Sequence, residues 1–159
     1  SSSVKYRLFD GSDTVTKGLV ERIGEPDGDA KDHAAALRRI MDELDLSGLA
    51  AVGHRVVHGG DAFDRATIID DRVIAAIEAL VPLAPLHQPH NLAAIRSIFA
   101  NFPELPQVAC FDTAFHRNHS ATADYYAIRQ HLHAEGGGRY AFPGLSFDYT
   151  ASRLLTARP

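Results

Sequence analysis

Cysteine is almost absent from this chain. Cys110 is the only one among 159 residues, so no disulfide can form within it. It lies in the apolar run Val108-Ala109-Cys110-Phe111 and reads as a small core residue rather than a nucleophile. No apolar stretch approaches the roughly 20 residues needed to span a bilayer, and no signal-peptide pattern opens the chain. No cluster of lysine and arginine builds up, and the net charge is −4 with both signs interspersed. That pattern excludes a basic surface for nucleic acid or membrane. His116, His119, His131 and His133 lack metal-ligand spacing and read as residues on the surface or behind a site. Repeats and low-complexity tails are missing as well. With 45% hydrophobic residues the chain can bury one core, and a cytoplasmic protein is the expectation.

The patterns that are present alternate in type. Val4 to Phe9 reads as a strand, Asp10-Gly11-Ser12-Asp13 as a tight turn, and Thr14 to Ile23 as a second strand pairing back. After a loop at Glu25-Pro26-Asp27-Gly28-Asp29, the spacing of Ala34, Leu37, Ile40, Met41 and Leu44 predicts an amphipathic helix over 30–46. Ala50 to Val57 returns to strand. Asp70 to Leu80 is a helix with Val73, Ile74, Ile77 and Leu80 inward, and Pro82 and Pro85 then interrupt the chain. A third helix runs from Pro89 or His90 to Ala100, with Leu92, Ile95 and Phe99 inward. Pro106 to Asp112 is an apolar strand of the kind buried in a parallel sheet. Tyr125 to Ala134 and Ser146 to Ala157 are read as helices on either side of the loop Gly136-Gly137-Gly138. Strands first, then helix and strand in alternation, indicate an α/β domain with a mixed sheet.

The densest chemical signal is Val52 to Gly60, VGHRVVHGG. A short apolar run carries one cation, Arg55, and exits through a glycine pair flanked by His58. Such an element can deliver a guanidinium to an anion; alone, it also fits an edge strand with a solvated arginine. Downstream come Ala84-Pro85-Leu86-His87-Gln88-Pro89 and Val108-Ala109-Cys110-Phe111-Asp112-Thr113-Ala114-Phe115-His116, and Ser1-Ser2-Ser3-Val4-Lys5 opens the chain. In order and spacing these motifs resemble the N-terminal half of the acetate kinase family.

That resemblance implies phosphoryl transfer between ATP and acetate, giving acetyl phosphate and ADP, with Mg2+. It also implies a ribonuclease-H-like mixed-sheet domain with flanking helices, one half of a two-domain kinase. Residues 1–159 would be the N-terminal domain, without its first strand and without the C-terminal domain. By the same resemblance Arg55 holds the carboxylate or phosphoryl group, and Val57 lines the methyl pocket on the same strand face. His87 matches the donor to the phosphoryl group, and Leu86, Pro89 and Phe142 match pocket-wall positions. Asp112 matches a catalytic aspartate beside the arginines, although as a residue before Thr113 it also reads as a helix cap. Ser1, Ser3 and Lys5 match phosphate-facing positions. The family's asparagine ligand for magnesium would lie upstream of Ser1, so no metal ligand is assigned. A homodimer is the family's assembly, with acetate or another short-chain acid and ATP or ADP as partners.

Two departures accompany the resemblance. Gln88 stands where the family has asparagine. The family's GFHGTSH appears as Ala141-Phe142-Pro143-Gly144-Leu145-Ser146-Phe147, so Pro143 and Phe147 replace two histidines. Proline offers neither a side-chain nor a backbone donor. Beside an active kinase half stand two other readings, a non-catalytic binding domain and a kinase for a larger acid such as propionate.

Overall fold

The computed structural model describes residues 3–117, 120–124, 126–135 and 137–157. Strand β1 (Val4–Asp10) and strand β2 (Asp13–Val20) form an antiparallel hairpin that pairs from Val4↔Val20 to Asp10↔Asp13, with a register shift between Leu8 and Phe9 that leaves Val15 as a bulge. Its turn needs Gly11, whose φ of 59° is in the left-handed region. One face of the hairpin packs on helix α1 (His33–Glu43), where Val20, Ile23, Ala36 and Ile40 make a small core against Val4 and Tyr6. The helix is shorter than the periodicity over 30–46 predicts. Asp32 caps it by accepting from Ala35 N–H at 2.7 Å, and Leu44 leaves with extended dihedrals. The inward alanine is Ala36; Ala34 is exposed, because the hairpin meets the 36/40 stripe.

The second sheet is the one that builds the site. Strand β3 (Val52–Val56) runs parallel to a later strand, β5 (Gln107–Phe111), from Val52↔Gln107 to Val56↔Phe111. Between them in sequence, β4 (Thr67–Ile68) pairs antiparallel with the other edge of β5. The sheet is therefore mixed, as expected, and β5 is central. With a strand on each side, β5 buries its 107/109/111 face in the core and half-buries its 108/110 face, which is the physical reason for the apolar run at 108–111. Two residues are too few to show alternation, which is why β4 left no sequence signal.

Helix α2 (Asp71–Ala79) starts at Asp70, whose carboxylate accepts from Val73 N–H at 2.8 Å. Helix α3 (Gln88–Asn101) buries Leu92, Ile95 and Ile98. These side chains join Val56, Phe63, Ile69, Val73, Ile77, Ala109 and Phe111 in the main core. The hairpin is a separate sheet from β3-β5-β4. The two units meet where α1 lies on α3, with the rings of His33 and His90 stacked at 4.2 Å.

After β5 the chain makes a 3-10 turn (Ala114–His116) and two short helices, α4 (Ala121–Asp124) and α5 (Gln130–Ala134). The helix read over Tyr125 to Ala134 thus begins late, because Arg129 is extended; Tyr125 lies outside the described residues. Helix α6 (Gly144–Ala157) starts two residues earlier than the pattern suggests, and Gly144 is its buried residue. Among the described residues no helix is long and apolar enough to cross a membrane.

Candidate active site

Parallel pairing of β3 with β5 brings two strand ends side by side. Asp112 N–H donates to Val56 carbonyl at 2.9 Å, carrying the ladder one residue past β5. Strand alternation turns Val56 into the core and leaves Arg55 on the open face. From there Arg55 Nε donates to Asp112 Oδ1 at 3.1 Å and Oδ2 at 2.9 Å, and Nη2 reaches Oδ2 at 2.8 Å. The carboxylate is 2% exposed and the arginine side chain 63%. A guanidinium carries five N–H donors. Two are engaged by Asp112, and the remainder, including the Nη1 pair, have no partner among the described residues. Those donors form the planar edge that suits a carboxylate or phosphate. The hydrogen bond to Asp112 raises Arg55 above its ordinary value, against a smaller opposing effect of burial. Asp112 does not serve as the helix cap: the cap position of the following 3-10 turn is Thr113, without a side-chain cap bond.

The turn after Arg55 is stitched to the same place. Gly59 N–H donates to Thr113 Oγ1 at 2.9 Å, and Gly60, with φ of 58°, takes a conformation that glycine adopts without strain. Gly60 N–H donates to Nδ1 of His58 at 2.9 Å, so the proton of that buried ring sits on Nε2. Burial holds His58 below the ordinary histidine value, partly opposed by Asp61. Tyr140 meets the His58 ring edge-on at 4.4 Å and Phe142 at 5.7 Å. Asp61 accepts from Tyr140 Oη at 3.2 Å and pairs with Arg117 Nη2 at 2.9 Å. Finally, Gly144 N–H donates to the Asp112 carbonyl at 2.8 Å, which pins the start of α6 beside the strand end.

The sequence-derived residues fall into three groups. Arg55 and Asp112 touch directly. Val57 is half-buried immediately beyond β3, and Phe142, itself 44% exposed, reaches the same exit through His58. Leu86, His87 and Pro89 are exposed at the entry to α3, with His87 at its cap position and no side-chain cap bond. Their link to the strand end runs through Gln88, which is completely buried. Gln88 Nε2 donates to His58 carbonyl at 2.9 Å and Oε1 accepts from His58 N–H at 3.4 Å. One turn on, Asn91 Nδ2 donates to Arg55 carbonyl at 3.2 Å and Oδ1 accepts from Val57 N–H at 3.3 Å. Gln88 is noted in the sequence only as a departure from the family's asparagine and Asn91 carries no signal there, although a Gln and an Asn three residues apart share one helix face. Lys5 is exposed on β1, in the other sheet, beside Arg7 and Lys17 along one groove; Ser3 is half-buried just before it. Ser1 lies outside the described residues. Among those described, no three His, Cys, Asp or Glu side chains are grouped to hold a metal.

A strand end with an arginine edge held by a buried carboxylate can grip a small anion. With that geometry stands a family match: the model of the acetokinase family covers residues 1–157. The chain belongs to the acetokinase family. It is 59% identical over 120 residues to the acetate kinase of Nitrobacter hamburgensis, covering 76% of this chain and 30% of that one. With the acetate kinase of Streptomyces avermitilis it is 46% identical over 189 aligned positions, covering 100% and 47%. The acetate kinase structure from Porphyromonas gingivalis superposes with a TM-score of 0.89 at 34% identity, covering 99% of this chain and 46% of that one. A propionate kinase structure from Francisella tularensis gives 0.90 at 34%, covering 98% and 47%. The chain spans about half the length of these solved structures. Its mixed α/β architecture is the acetokinase fold over the shared part.

Proposed function

We propose that this chain is the carboxylate-holding, N-terminal half of an acetate kinase. In that reaction an acetate oxygen attacks the γ-phosphorus of ATP, the bond to the bridging oxygen breaks, and acetyl phosphate and ADP form. The observation that carries the reading is the free edge of Arg55, aimed by an Asp112 that is itself buried. A preorganised cation of this kind binds a carboxylate without having to be ordered first. Asp112 acts by orienting Arg55. Val57, Leu86, Pro89 and Phe142 are the walls for the methyl group, and His87 is the donor to the phosphoryl oxygens. Ser1, Ser3 and Lys5 belong to the phosphate end of the site.

Magnesium would accompany the nucleotide, but the residues described here do not fit it. They include no trio of ligating side chains, and Asp112 is committed to Arg55. No step is routed through the metal. Pro143 supplies no donor where the family has a histidine, and the loss of one such donor costs roughly 100- to 1,000-fold in rate. We therefore expect no measurable acetyl phosphate from this chain alone in a coupled assay. A cytoplasmic location and a homodimer are part of the same proposal.

The carboxylate site itself is tested by titrating acetate while following the Arg55 Nε–H resonance and, as reporters present in wild type and variant alike, the backbone amides of Val57 and Thr113. Saturable shifts that vanish in Arg55→Ala are expected. A wild-type resonance indifferent to acetate, or binding retained by Arg55→Ala, would overturn the assignment. The similarity to a propionate kinase gives the second reading its one specific support. Propionate shifting Arg55 at lower concentration than acetate would favour it; half-buried Val57 favours the smaller acid.

A further inference from the structure

β3 has β5 on one side. On its other side, beyond Arg55, the partner is the first turn of α3. There Asn91 offers a carbonyl oxygen to Val57 N–H and an amide N–H to Arg55 carbonyl. Gln88 does the same for the N–H and carbonyl of His58. Backbone groups on the open side of a strand ordinarily pair with another strand or with water. Here two carboxamides, each both donor and acceptor, take that place on successive residues of the chain exit. Gln88 is fully buried, and its backbone N–H donates to the Ala84 carbonyl at 2.9 Å, so the side chain starts from a fixed point.

We infer that Gln88 and Asn91 are positioning residues for the carboxylate site: as a substitute strand edge they set the backbone from which Arg55 and Val57 project. This rests on the reading of Arg55 as the carboxylate ligand. Asp112 fixes the far end of the arginine, and Asn91 fixes its near end. The near end matters because a guanidinium at the tip of a long side chain is only as well placed as the backbone carrying it. Gln88 stands where the family has asparagine, one methylene shorter. Its amide reaches both polar groups of His58 from a helix start, and His58 in turn backs Phe142.

The experiment uses this chain, with acetate as the probe and two independent readings. Amide hydrogen exchange at Val57 and His58, with the Arg55 Nε–H resonance, reports the positioning. Acetate titration reports the site. Asn91→Ala is expected to speed exchange at Val57 by tenfold or more and to shift Arg55 Nε–H, with the rest of the amide spectrum unmoved. It should weaken acetate binding by about tenfold. Asn91→Gln, which keeps both amide groups on a longer arm, should recover part of the binding. If Asn91→Ala does not fold, Asn91→Ser and Gln88→Asn carry the same comparison. Unchanged exchange at Val57 together with an unmoved Arg55 resonance would overturn the inference. The exchange effect in Asn91→Ala, together with a wild-type chain that never binds acetate, would instead reject the carboxylate reading and leave the positioning intact.

Discussion

Gly59 lies directly against the ring of Phe111. A β-carbon at position 59 would stand 2.9 Å from the Phe111 Cγ and 3.0 Å from its Cδ1, closer than real side chains approach. That ring cannot retreat, because it stacks on Phe63 with centroids 4.4 Å apart in the main core. The φ of Gly59 is not in the left-handed region, so the requirement for glycine here is one of space alone. Gly59→Ala is expected to destabilise the chain by about 1–3 kcal/mol, the usual cost of overpacking. Chemical denaturation of Gly59→Ala, Phe111→Leu and the double variant checks the cause. The double variant should be less damaged than the sum of the two, and strict additivity would reject the clash.

The Arg55–Asp112 pair predicts an asymmetry. Removing the arginine in Arg55→Ala leaves a carboxylate at 2% exposure without its counter-ion. Removing the charge in Asp112→Asn leaves a guanidinium that is mostly in water. The first should cost about 1–3 kcal/mol or more, because a buried charged group is left unpaired. The second should cost clearly less, while weakening the acetate binding proposed for Arg55. Equal losses of stability on urea titration would mean that the carboxylate finds another partner.

Acidification should loosen the chain from histidine upward. Burial lowers His54, His58 and His90 in the folded state, so the unfolded chain takes up protons first as pH falls. With more protons bound unfolded than folded, stability is fully present above the ordinary histidine value of about 6.5 and falls below it. For His58 the geometry agrees in sign, since a proton on Nδ1 would displace the hydrogen bond from Gly60. His58→Asn keeps an acceptor for Gly60 N–H in an Asx turn and does not titrate. Its melting temperature should therefore change less between pH 7.5 and pH 5 than that of the parent chain. Parallel curves for the two proteins would remove His58 as a contributor.

Much apolar surface faces water. Tyr149, Leu154 and Leu155 on α6 are more than half exposed, as are Phe9 and Val15 on the hairpin. Among the described residues β1 pairs with β2 alone, leaving one edge open beside it. Exposed apolar patches and strand edges favour association. Sedimentation should show concentration-dependent self-association and a hydrophobic dye should brighten, both reduced by Leu154→Lys with Leu155→Lys. A monodisperse monomer that ignores the dye would count against this.

The order of elements could be read in advance because helix and strand periods differ, and because β5 advertised its central position by being apolar throughout. What escaped notice had physical reasons. Two-residue β4 has no period. Asp32 and Leu44 trimmed α1 at both ends, and the extended Arg129 delayed α5, effects of single residues that outweigh a stripe of apolar side chains. Arg55 and Asp112 were legible as a cation and a carboxylate at strand ends. Their direct bond was not, since it depends on which two strands are neighbours. The roles of Gln88 and Asn91 were hidden for a similar reason: their partners are backbone groups, which every residue has and no sequence distinguishes.

Arg55 and Asp112 are separated by 57 positions in the chain, with α2, β4 and α3 between them. Bringing them together closes a long loop, whose entropy must be met before the strands reward it. The site thus has no local precursor: neither segment can form half of it and wait. During folding, anion binding should appear only with the final cooperative step, together with the β3–β5 ladder, and a ligand that fills the site acts on the whole molecule's folding equilibrium rather than on one loop.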